Sequence, residues 1–123
     1  MTWIDAAEEA MQELSTDLGI PYDYQRNRSP VDQLPDSYMV YFLVDDPVES
    51  VFDGRAQTHQ PRVQASFFFR DPRKMLTVPD QITEEFQKVG FGVGDAGPIP
   101  YQPDTGHYGW RRDFYCYENF RKE

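Results

Sequence analysis

Seven consecutive apolar residues, Tyr38–Val44 (YMVYFLV), constrain this chain more than any other stretch. A strand with one wet face alternates between apolar and polar residues. A strand with no alternation is covered on both faces, or else forms an assembly surface. The run is far too short to cross a bilayer, and Asp45-Asp46-Pro47 ends it. The next strand covers Val63–Arg70. Val63, Ala65, Phe67 and Phe69 face one way there, while Gln64, Ser66 and Arg70 face the other. Phe68 adds an aromatic to the polar face, which suggests that this second face is also covered, with another subunit as a candidate cover.

The material for the other layer is helical. In Trp3–Leu18, residues Ile4, Ala7, Met11, Leu14 and Leu18 recur at steps of three and four, so they share one face. Thr2 is placed to cap, Asp5 suits the first turn, and Gly19 suits the left-handed position after the last. A second helix follows Asp71-Pro72, with Ile82, Phe86 and Val89 on one face, Pro79 in its first turn and Gly90 beyond its end. Ile20, Tyr22 and Tyr24 alternate in a short strand that Pro21 assigns to an edge. The stretch FGVGDAGPIPYQPDTG is turn-rich, with at most one short strand at Phe91–Val93, and HYGWRRDFYCYENF reads as the last strand. At 123 residues the chain is expected to form one domain, residues 1–123. The expected fold is two-layer α+β: an antiparallel sheet of about four strands, two helices packed on one face, in the order α-β-β-β-α-β.

Between the two apolar strands lies a long arm, at about residues 45–62. Asp53-Gly54 is a strong signal for a two-residue hairpin turn, because both central positions favour positive φ. The arm carries few apolar residues and buries little against its own domain. It is therefore either a solvated hairpin or a segment that orders against a partner. Under the second reading the contacts fall on Phe52, Asp53, Gly54, Arg55, Gln57, His59 and Gln60.

No motif for chemistry competes with that reading. His59 and His107 are far apart and in no metal-binding spacing, and both are expected to be exposed in loops. Cys116, the only cysteine, sits on an apolar strand face, which is packing rather than nucleophilic chemistry. Gly92, Gly94 and Gly97 match a dinucleotide fingerprint in letters only, since a helix precedes them and Pro98-Ile99-Pro100 follows. No catalytic, cofactor or metal site is expected. With 12 Lys and Arg against 21 Asp and Glu, the formal net charge of -9 repels phosphate, so direct nucleic-acid binding is not expected. No membrane segment or leader is expected either, because Asp5, Glu8 and Glu9 stand where a signal peptide would be basic and apolar.

The sequence IPYDY after the first helix, then YMVYFLV, FDGRAQTHQPRVQASFFFRDP and the closing HYGWRRDFYCYE resemble the tail completion proteins of long-tailed phages, also described as tail terminator or tail-to-head joining proteins. The resemblance lies in the pattern of elements and spans nearly the whole chain. Ser37-Tyr38 departs from the Pro-Tyr often found in that family, and Pro47 and Glu49 are additions in the loop from Asp45 to Val51. What the resemblance implies is a non-catalytic ring, commonly of six subunits, closing the head-proximal end of the tail tube. It implies docking to the head connector, a monomer when free, and a place in the virion after assembly in the host cytoplasm. Two other readings stand beside it. One is a small ligand-binding or regulatory domain with a cleft beside GDAGPIPYQ, and the other is a hydrolase built on Asp45 or Asp46.

Overall fold

The structure is a computed structural model. It describes residues 2–25, 33–52, 55–116 and 118–119, with 48–58 and 118–119 by backbone alone. Two α-helices pack on one face of a five-stranded mixed sheet, and a second, three-stranded sheet holds the arm. The α+β class is as expected, but the main sheet has five strands rather than four.

Helix α1 (Trp3–Leu18) begins with reciprocal capping: the Thr2 hydroxyl accepts from the Asp5 N–H, and the Asp5 carboxylate accepts from the Thr2 N–H. It ends at Gly19, whose φ of 67° is the left-handed conformation a glycine adopts without steric cost. Its buried face is Ala6, Ala7, Ala10, Met11 and Leu14. Ile4, expected on that face, is 41% exposed. The alanines hold the helix close to its neighbours, and Ile4 lies at the margin of that narrow stripe. Helix α2 (Val78–Lys88) follows a 3₁₀ turn at Pro72–Leu76 and buries Ile82 and Phe86 as their spacing predicted.

The main sheet runs β1-β2-β5-β7-β6, formed by Tyr22–Tyr24, Ser37–Asp45, Arg62–Phe69, His107–Tyr115 and Gly92–Gln102 respectively. On the helix side, Met39, Tyr41, Val63, Ala65, Phe67, Phe69, Trp110 and Phe114 merge with the helix residues into one core. Phe114 stacks on Phe86 of α2 with ring centres 4.2 Å apart, joining layer to layer. Residues 37–41 of β2 are buried on both faces, as the unbroken apolar run required. The second face closes within one copy at this point. Tyr38 is 6% exposed, stacks on Phe68 at 4.9 Å and meets the His107 ring edge-on at 5.2 Å. Phe68 therefore has a partner in its own chain, and its presence does not require another subunit.

Three expectations about strands are corrected. β1 pairs parallel to β2, through Tyr22↔Met39 and Tyr24↔Tyr41, so the sheet is mixed rather than antiparallel. Residues 25–36 give the chain enough length to return to the same end before β2 begins. β6 is an eleven-residue strand where at most three residues were expected. It occupies an edge, where glycine and proline are tolerated because one side of the strand pairs with nothing. Gly109 of β7 makes room for it: a Cβ there would stand 2.7 Å from the Cβ of Ile99. Finally, the last strand is split. β7 ends at Tyr115, and Glu118–Asn119 form β8 in the other sheet.

Candidate functional site: the arm and its base

The arm continues the β2–β5 ribbon. The β2–β5 ladder closes at Asp45↔Arg62, and the next pair, Val48↔His59, already belongs to the arm, formed by β3 (Val48–Phe52) and β4 (Arg55–His59). Pro47 and Pro61 stand between the two ladders, and neither has an N–H to give. The ribbon is thus divided into two sheets at its prolines. The Gln60 N–H still donates to the Pro47 carbonyl at 2.9 Å, so the two halves stay joined.

Side chains fasten the same place. His59 Nδ1 pairs with the Asp46 carboxylate, and the His59 residue is only 7% exposed. This corrects the expectation of an exposed loop histidine: burial follows from the strand pairing that brings residues 46 and 59 together. Asp45 meets Arg62 across the ladder at 3.4 Å. Both aspartates of the hydrolase reading therefore have structural partners. On the other side, the Cys116 N–H donates to the Pro61 carbonyl at 3.2 Å, and β8 then pairs with β4 through His59↔Glu118 and Thr58↔Asn119. The arm's sheet has the order β3-β4-β8.

The seven residues expected to touch a partner fall at three places along the arm. Phe52 and Arg55 are cross-strand partners at the far end of the hairpin, which leaves Asp53 and Gly54 between them, outside the described residues. Gln57 falls at a register irregularity between Ala56 and Thr58, opposite Ser50 and Val51, and Glu49 at a second one between Val48 and Ser50. His59 and half-buried Gln60 lie at the base, where they hold the arm to the body. The Asp46 partnership and the addition of β8 were missed in the sequence. One signal for the break was present: Pro47 and Pro61 flank Asp53-Gly54 at nearly equal distances.

Elsewhere, polar groups serve packing. His107, also expected in a loop, opens β7 and is fully buried, with Nε2 2.8 Å from the Pro35 carbonyl. Glu8 of α1 accepts hydrogen bonds from both Tyr22 and Tyr41, tying the helix to β1 and β2. Burial and the adjacent carboxylate push the Tyr22 phenol up to about 12 and raise Tyr41 as well. The glycine-rich letters of β6 lie within a strand and precede no helix. The stretch beside GDAGPIPYQ forms an open depression of about 560 Å³, lined by the consecutive residues 99–105 of one hairpin end. Among the described residues, no three His, Cys, Asp or Glu side chains group as a metal site would require. No helix among the described residues is long and apolar enough to cross a membrane. No family model matches the chain, and no curated protein matches it.

Proposed function

We propose that this chain is a virion assembly protein, a tail completion component that forms a ring closing the tail tube and joins it to the head connector. One observation carries the reading: the domain extends its central ribbon past a proline break into a separate small sheet, whose outer strands β3 and β8 have no further strand partner among the described residues. A two-layer body supplies the rigid support, and the arm supplies backbone groups suited to a neighbour. The acidic surface favours a protein that stays apart from its copies until a template gathers them, because like charges oppose early association. The other partners in this proposal are the tail-tube and connector proteins, and the role is structural rather than catalytic.

Reconstitution tests it. Purified protein is mixed with tail tubes that lack their completion ring, then examined by electron microscopy and native mass spectrometry. The proposal expects a monomer alone, a ring on tube ends, and tubes that no longer elongate. Tubes that remain bare and keep growing at saturating protein would overturn it.

A further inference from the structure

β6 is the longest outer strand of either sheet. Its eleven residues, Gly92–Gln102, pair with β7 on one side and with no other strand among the described residues on the other. Most of them are exposed, with Tyr101 at 50%. An edge of this kind is a template on which another chain can add a strand. Charge does not guard it. Between Asp95 and Asp104 the sequence runs AGPIPYQP, without an acid or a base in a chain where 27% of residues are charged. β1, the opposite edge of the main sheet, is protected by other means: it is three residues long and has Asp23 at its centre.

We propose that Pro98 and Pro100 are the guard, closing the β6 edge to strand addition so that copies of the free protein do not pair through their main sheets. Within a sheet, proline is accommodated on an edge strand with its missing N–H on the open side. Pro98 stands opposite Trp110 within an unbroken register from Ala96 to Ile99, so the ladder to β7 survives on the inner side. An arriving strand meets two rings at alternate positions, where it needs N–H donors. The register also shifts between Val93 and Ala96 and again between Ile99 and Gln102, and such irregularities bend a strand away from a straight partner. With valine in place of both prolines, the segment would read AGVIVYQ. That is uncharged and rich in β-branched residues, the composition that joins chains into intermolecular sheets. What this edge excludes is independent of the ring reading above, since a ring can use any other surface.

Sedimentation of wild type and of Pro98→Val/Pro100→Val, at on the order of 100 μM, tests the guard at a concentration where open edges drive association. The double variant should keep the wild-type circular dichroism spectrum and form dimers and larger species that the wild type does not. Ala96 shares the alternation of Pro98, so its N–H should become protected from exchange in those species and stay unprotected in the wild type. Adding Ala96→Pro to the double variant returns a proline to the open side and should restore the monomer, which separates edge pairing from misfolding. A folded double variant as monomeric as wild type would overturn the inference. So would association that Ala96→Pro leaves unchanged, or an Ala96 amide already protected in the wild type. An unfolded double variant would show that the prolines hold the fold instead of guarding its edge, and overturns it as well.

Discussion

Replacing Glu8 by alanine tests how the helical layer is fixed to the sheet. The side chain lies on an exposed turn of α1, where a substitution without further consequence changes stability by at most about 0.5 kcal/mol. Here its two carboxylate oxygens accept from two phenols. Tyr41 is 1% exposed, so without Glu8 its hydroxyl is left in the core with no water to replace the lost acceptor. An orphaned buried donor costs about 1–3 kcal/mol. Tyr22 is half-buried and regains water, so its share is about 0.5 kcal/mol. Glu8→Ala should therefore destabilise by about 1.5–3.5 kcal/mol in urea unfolding, with an unchanged denaturant slope. Tyr41→Phe removes donor and bond together and should cost less, about 1 kcal/mol. In the double variant the two losses should overlap, because both report the same bond. A Glu8→Ala loss below about 0.5 kcal/mol, or strict additivity with Tyr41→Phe, would refute the clasp.

Three further outcomes follow from the same geometry. Tyr22 and Tyr41 are held protonated in the fold above the ordinary phenol value near 10, so their stabilisation is complete below pH 10; Tyr22's share is lost as pH rises through about 12, and Tyr41's is lost at higher pH still. Alkaline unfolding followed by fluorescence should accordingly be blunted in the Tyr22→Phe/Tyr41→Phe protein, and identical profiles would contradict the assignment. Gly109→Ala drives a methyl into Ile99 and should lower stability by about 1–3 kcal/mol, with Ile99→Ala recovering part of the loss in the same background; no recovery would exclude that clash. Asp46→Ala should speed amide exchange in β3 and β4 while the Phe86–Phe114 core keeps its protection, because the pair it removes sits at the arm's base; a uniform loss across both sheets would show that the arm is not a separate unit.

What was legible in the sequence depended on how local its cause was. The faces of α1 and α2 and the burial of β2 are matters of periodicity, and they were read except at Ile4 and at the end of β2, where Val44 is exposed. The hairpin was readable from Asp53-Gly54, and the structure pairs Phe52 with Arg55 on either side of it. β6 was obscured because glycine and proline signal turns in isolation, whereas an edge strand tolerates both. No local pattern shows that β1 pairs parallel to β2, or that the end of HYGWRRDFYCYENF leaves one sheet for another. The histidines failed for a related reason. His59 and His107 are buried by residues 13 and 72 positions away, and hydropathy carries no trace of such partners. For the candidate site, the arm's extent was legible, but its fastening at Asp46, Gln60 and Pro61 was not.

The distinction between an arm that is self-sufficient and one completed by a neighbour can be measured directly. Hydrogen–deuterium exchange over residues 48–59 is compared between dilute protein and rings assembled on tail tubes, with Phe67 and Phe114 as internal references. The β3 amides should exchange at least tenfold more slowly after assembly, while the reference strands stay unchanged. Equal exchange of β3 in the two states would contradict the account.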